Sequence, residues 1–174
     1  MKETAEEYLR RIEGYLGRDD PFAVLRSTPA ALRRVIAGAS SRRLAGRPAP
    51  EMWAPVEILA HLADVEIVIG CRVRSILGSP GLPIQVFDQD AWATAGHYEK
   101  RDSRKSLEQF RVLRGADLSL YKTLSPEQWK YHGVHPERGE ESVERILFLV
   151  AGHDLNHLAQ IETILEGNSK RGLP

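Results

Sequence analysis

The stretch Ala151-Gly152-His153-Asp154-Leu155-Asn156-His157-Leu158-Ala159-Gln160-Ile161 lies inside a longer run whose apolar residues recur every three or four positions. Ile146, Val150, His153, His157, Ile161 and Ile164 share one face of a helix predicted from near Ser142 to near Gly167. Two members of that stripe are histidines four residues apart, so one imidazole stands a turn above the other. A second run repeats the pattern from Pro55 to about Leu77, with inward positions Ile58, His61, Val65, Ile69, Arg72 or Val73, and Ile76. Glu57 in its first turn suits the positive end of a helix dipole, and Gly78-Ser79-Pro80-Gly81 stops it.

Working outward, a helix over about 103–124 carries Leu107, Phe110, Leu113, Leu120 and Leu124. A short amphipathic helix over about 3–17 uses Tyr8, Leu9, Ile12 and Leu16. Thr28-Pro29 reads as a start signal, Thr28 as N-cap and Pro29 in the first turn, for a segment with Leu32, Val35 and Ile36. Ser125-Pro126-Glu127-Gln128 resembles a capping box opening one turn around Trp129. No run alternates with period two, so strands are not expected. The long connection over 79–102, which holds Phe87-Asp88-Gln89-Asp90-Ala91-Trp92, would let the two helices it joins run parallel. The fold class is therefore all-α, a four-helix bundle, with residues 1–174 as one domain and 168–174 as a flexible tail.

Composition narrows the partners. Lys+Arg and Asp+Glu are both 24, giving zero net charge and no basic excess to attract nucleic acid. No apolar run approaches the roughly 20 residues of a membrane helix, and the acidic start Met1-Lys2-Glu3-Thr4-Ala5-Glu6-Glu7 does not read as a signal peptide. The lone Cys71 permits no intramolecular disulfide and fits a cytoplasmic protein. It falls off the main stripe of its helix, as a core or interface residue.

His61, His153 and His157 all occupy inward positions among Ile, Val and Leu. Each ring nitrogen needs a partner once buried. Ordinary hydrogen-bonded core histidines would meet that need, and so would one shared divalent cation. Three imidazoles leave a coordination position open, as catalytic sites do. All-nitrogen ligation suits zinc or nickel first, with iron, copper or manganese left open. Asp154 stands where H-E-x-x-H requires Glu, so this is not the zincin motif. Asp64 and Asn156, each three residues after a histidine, are candidates to orient an imidazole or complete the coordination. Asp88, Asp90, His135 and Glu137 are further candidates for a general base. Trp53, Trp92 and Trp129 sit near helix ends or in loops, where they either pack over the bundle or line a pocket. His97, Tyr98 and His132 have no evident partner.

The segment Trp53-Ala54-Pro55-Val56-Glu57-Ile58-Leu59-Ala60-His61-Leu62-Ala63-Asp64-Val65-Glu66 resembles one signature of the DinB/YfiT-like family, and 151–161 resembles its other. The likeness extends through Phe87 to Trp92 and the His135-Pro136-Glu137-Arg138-Gly139 loop, so it covers nearly the whole chain. It implies an up-down-down-up bundle, often a homodimer, with one metal held by residues matching His61, His153 and His157. Ala54 departs from the Ser or Thr the family commonly places before this proline, which removes a side-chain cap worth roughly 1 kcal/mol. The family includes transferases and isomerases that use a low-molecular-weight thiol, bacillithiol or mycothiol, as co-substrate. The resemblance therefore implies a metal-dependent thiol transferase or isomerase acting on a small molecule. A metal-dependent hydrolase is the alternative, and a non-catalytic metal- or small-ligand-binding stress protein is the third reading. For a charged thiol, Arg72, Arg74 and Arg138 are the candidate pocket residues.

Overall fold

The structure, a computed structural model, describes residues 4–170. Its helices are α1 (Ala5–Leu16), α2 (Pro21–Ile36), α3 (Ser41–Leu44), α4 (Pro55–Gly78), α5 (Gln89–Ala95), α6 (Ser103–Tyr121) and α7 (Val143–Lys170). The long ones are α2, α4, α6 and α7, and they form the four-helix bundle.

Their directions follow from which residues meet. Glu66 and Arg74 of α4 reach Arg114 and Asp117 of α6, so residue numbers rise together and the two helices run parallel. On α4 and α7 the numbers run oppositely: Val73 and Ile76 join Val143 and Ile146 in one apolar cluster, Ile58 and Leu62 join Ile161 and Ile164 in another. Likewise Leu25 of α2 clusters with Val150, and Leu32 with Ile161, so α2 and α7 are parallel. The result is the up-down-down-up order, and α1 adds an antiparallel brace along α7.

Each predicted helix has a local cause. Thr4 and Glu7 form a reciprocal capping box at the start of α1. Asp20 caps α2 through Phe22 and Ala23, with Pro21 at the first helical position. The expected start at Thr28-Pro29 is thus corrected: both lie inside α2, whose true cap stands eight residues upstream of Thr28. A proline at 29 cannot donate to the Leu25 carbonyl. Arg114 fills that gap, its Nη1 donating to Leu25 O at 3.2 Å. At α4, Ala54 offers no side-chain oxygen, yet Glu57 Oε2 still accepts the Ala54 N–H at 2.8 Å. Pro55 removes a further donor that would otherwise need a partner.

Three further expectations change. His132–His135 and Gly139–Ser142 form an antiparallel hairpin, β1 and β2, where no strand was expected. Its strands are four residues each, too short for a period-two pattern to register, and the Leu82–Ile84 segment hydrogen-bonds to its edge at Val134. The 79–102 connection is partly ordered as α5 and a 3-10 turn over Tyr98–Lys100. Finally, α7 continues to Lys170, past the expected start of the tail at 168, while 171–174 lie outside the described residues.

The core is layered. One apolar cluster, around Val65, Ile69, Val73, Ile146 and Val150, fills one end of the bundle. Another, around Ile58, Leu62, Phe110 and Ile161, fills the other. Polar residues are buried where the two meet: His61 and Glu66 on α4, Arg114 on α6, and His153, Asp154 and His157 on α7, the last four falling between the buried members of the two clusters along their helices. A polar middle layer of this kind costs desolvation unless every member is paired.

Candidate metal centre

The histidines meet in that middle layer. His61 from α4 and His153 and His157 from α7 bring potential ligand nitrogens within 4.8 Å of one another, and all three residues are buried. His61 Nε2 and His153 Nε2 stand 3.1 Å apart. Nitrogens on a tetrahedral ion at roughly 2.0–2.1 Å lie roughly 3.3 Å from each other, so little movement would seat one. His157 is oriented by α7 itself: its Nδ1–H donates to Gln160 Oε1 at 2.9 Å, which leaves the Nε2 lone pair free.

Protonation favours the same use. Burial, then the nearby His157 and His153, hold the His61 imidazole well below its ordinary range. Burial and His153 push His157 down to about 3. Both rings are therefore neutral at pH 7 with lone pairs available. Among the described residues the Nδ1 atoms of His61 and His153 have no hydrogen-bond partner, and Asp154 Oδ1 stands 3.9 Å from His153 Nδ1. Facing nitrogens plus orphaned ones are poorly served by a protein-only hydrogen-bond network, and a cation between the rings fits this donor set.

Trp53 closes one side, its ring 4.9 Å from that of His61, with Tyr98 edge-on behind it at 6.4 Å. Trp53 therefore lines the site. Trp92 stacks on Phe87 and Trp129 on Phe22 and Tyr121, so these two pack.

The other candidates do not join the histidines. Asp64 accepts from Tyr98 Oη at 2.7 Å and from Arg101 Nη1 at 2.8 Å, so both its oxygens are engaged. Burial and Asp64 push the Tyr98 phenol up, which keeps it a donor. Asn156 Oδ1 accepts from Arg11 Nη1 at 2.6 Å and ties α1 to α7. Asp88 caps α5 and is exposed, as is Asp90. His135 is buried in the hairpin, where its Nδ1 accepts the Glu137 N–H at 3.2 Å, and Glu137 is exposed. Arg74 pairs with Asp117 and Arg138 with Glu141. Cys71 is exposed rather than in the core. Among the described residues no carboxylate or thiol completes the three-histidine group.

Sequence reasoning missed the support behind the site. Arg114, 2% exposed, donates to both oxygens of Glu66 at 2.7 Å and to Asp154 at 2.7 Å. Two carboxylates share one guanidinium. Burial would raise Asp154, but Arg114 outweighs it and holds Asp154 down, whereas burial pushes Glu66 up to about 7. Asp154 follows His153 in sequence, so this buried cluster anchors the α7 turn that carries the histidine. Gln160, three residues after His157 and on its face, was legible from helical spacing. Arg114 was not, because the apolar stripe of this helix was read through Leu113, which left the adjacent arginine as a surface position. The inward face of α6 runs through Phe110, Arg114, Asp117 and Tyr121 rather than Leu113.

An up-down-down-up helical bundle with three imidazoles converging in its middle layer defines the class. The chain belongs to the DinB superfamily, whose profile matches residues 25–161. It is 26% identical over 145 residues to the protein named "Putative metal-dependent hydrolase YfiT" of Bacillus subtilis (strain 168), covering 83% of this chain and 82% of the relative. It is 26% identical over 171 residues to the similarly named OB0413 of Oceanobacillus iheyensis, covering 96% and 88%. The solved structure of YfiT, described as having an unusual four-helix bundle topology, superposes with a TM-score of 0.80 at 22% identity. That match covers 99% of this chain and 92% of the other. Among the described residues no helix is long and apolar enough to cross a membrane.

Proposed function

We propose that this protein is a metal-dependent enzyme in which His61, His153 and His157 hold one divalent transition metal, and that its reaction is a hydrolysis of a small molecule. The observation that carries it is the convergence of three buried imidazoles, two of them held neutral, with no fourth ligand joining them among the described residues. The names of the relatives, metal-dependent hydrolases, support the same class. An ion held by the three imidazoles would lower the pKa of a nucleophile bound to it.

The chain's own residues supply the rest. Gln160 keeps the His157 proton on Nδ1 and the lone pair on Nε2. Trp53 and the apolar layers on either side exclude bulk water, which strengthens every electrostatic contact inside. Tyr98 and Arg101 hold Asp64 out of the acid–base chemistry.

A second reading, transfer or isomerisation with a low-molecular-weight thiol, is favoured by that last point. With Asp64 engaged, no carboxylate among the described residues joins the three-histidine group, and a thiol ionises far more readily than water. Elemental analysis of tag-free protein, alongside His61→Ala and His153→Ala, tests the metal. About one equivalent in the parent, lost in both folded variants, is expected. Parent protein that stays metal-free with added zinc or nickel would overturn the proposal. Ester hydrolysis against thiol consumption by the loaded protein then separates the two reactions.

A further inference from the structure

The arginines expected to meet a charged ligand are engaged elsewhere: Arg74 with Asp117, Arg138 with Glu141, and Arg72 with the Gln85 carbonyl. A different group of four, Arg26, Arg33, Arg111 and Arg114, lines a groove of about 300 Å³ between α2 and α6. Arg26, Ala30 and Arg33 share one face of α2, and Arg111 and Gly115 share one face of α6, at the spacing of neighbours on a helix. The two helices run antiparallel, so Arg33 and Arg111 stand at the same end, where Glu108 feels both. Arg26 stands at the other end, roughly 10 Å further along the α2 axis. Ala30 and Gly115 keep the middle open, and a Cβ at Gly115 would meet nothing within 4 Å.

Among the described residues no carboxylate lines this groove. Arg111 is paired at the rim, its Nε and Nη2 donating to Glu108 at 2.8 and 2.6 Å. The Arg26 and Arg33 guanidiniums make no hydrogen bond or ion pair among the described residues. Three arginines against one glutamate leave the rim with a formal excess of two positive charges. Arg114 forms the floor. Four of its five N–H groups are taken by Glu66, Asp154 and the Leu25 carbonyl, which leaves one on Nη2 without a partner. Burial pushes Glu66 up to about 7, so the layer beneath the floor adds at most one negative charge, and the groove stays positive.

We propose that this groove is a binding site for the phosphate group of a small phosphorylated molecule. A phosphate monoester carries close to two negative charges at pH 7 and three strong acceptor oxygens. Its charge answers the excess at the rim, and its oxygens answer the free donors. Arg26 and Arg33 close from the two ends on a phosphate seated over Gly115, each guanidinium offering the planar fork that suits phosphate. A groove of about 300 Å³ stands at the small end of ligand pockets, with room for a phosphate on a short organic tail. An extended polyanion is served less well, because Glu108 stands at one end and the chain has zero net charge. None of the three histidines lines the groove, so the site does not rest on the metal reading.

The test is a titration of the isotope-labelled full chain with phenyl phosphate at constant ionic strength, following the arginine Nε–H resonances by NMR. The signals are identified by their loss in Arg26→Gln and Arg33→Gln, both exposed positions whose replacement should leave the fold intact. We expect both signals to shift saturably, and each variant to bind roughly tenfold more weakly, about the loss of a charge-assisted pair. Gly115→Leu fills the groove from a position with open space at its Cβ, and should abolish binding while unfolding at the parent's temperature. Arg42→Gln, an exposed arginine on α3, and folded His61→Ala should bind like the parent. Signals that stay still, or Arg26 and Arg33 variants that bind as the parent does, would overturn the inference. Loss of binding in folded His61→Ala would place the phosphate at the histidines and overturn it equally. Benzoate binding as tightly as phenyl phosphate would overturn the phosphate assignment, and tighter binding of a short DNA duplex through the same arginines would overturn the small-molecule one.

Discussion

Replacing Arg114 with methionine removes the cation from the bundle's middle layer while keeping most of the side-chain volume. Three groups then lose their partner: the Glu66 carboxylate, the Asp154 carboxylate and the Leu25 carbonyl that Pro29 cannot serve. Breaking a buried ion pair by removing one side costs roughly 3–5 kcal/mol, and an unsatisfied buried carbonyl adds roughly 1–3 kcal/mol. Against a typical total stability of roughly 5–15 kcal/mol, the variant is expected to stand at the edge of unfolding at pH 7. The loss should also depend on pH. Without Arg114 both carboxylates have folded-state pKa values above their unfolded ones, so the variant regains stability as pH falls towards the unfolded value near 4. Urea unfolding of parent and variant at pH 7 and pH 5.5 measures this directly. The difference between them should shrink by up to roughly 1.4 kcal/mol per pH unit through Asp154, and by less through Glu66, which burial already pushes up to about 7 in the parent. A difference under about 1 kcal/mol at pH 7, or one that acidification leaves unchanged, would refute the view that Arg114 neutralises this layer.

Gln160→Leu removes the acceptor of the His157 Nδ1–H and should weaken metal binding by roughly 10–100-fold with the fold intact, as read by competition with a chelator. Gly152→Ala places a Cβ against the Ile12 carbonyl of α1, well inside van der Waals contact. Alanine's helix preference of about 1 kcal/mol is outweighed because a backbone atom must move, so α1 should detach and its amides exchange faster, with a net loss of roughly 1–3 kcal/mol. The metal-free protein should lose stability as pH falls below about 6.5, because the unfolded chain gains protons on His61 and His157 that the fold excludes. The slope, up to roughly 1.4 kcal/mol per unit for each ring, should flatten in His157→Gln, and an unchanged slope would count against burial of a neutral imidazole.

The 3.6-residue period placed α4, α6 and α7 and put His61, His153 and His157 on inward faces, because those features depend only on residues a few positions apart. The same local logic found the Ser125–Gln128 cap, where Ser125 N–H donates to Gln128 Oε1 at 2.9 Å. Local reading also placed a start signal at Thr28-Pro29 inside α2, since what makes a proline tolerable there is Arg114, 85 positions away. Only the tertiary structure decided that Asp64 is bound by Tyr98 and Arg101, that Asn156 serves α1, and that Arg114 joins Glu66 to Asp154. Each of these depends on a partner at least 34 positions distant, as with Tyr98 and Asp64. A polar side chain's role is set by whichever partner reaches it first, and spacing along one helix carries no information about that. The apolar stripes determined which faces turn inward. The packing of α4, α6 and α7 determined which buried polar groups pair with each other, and left three imidazoles to face a common point.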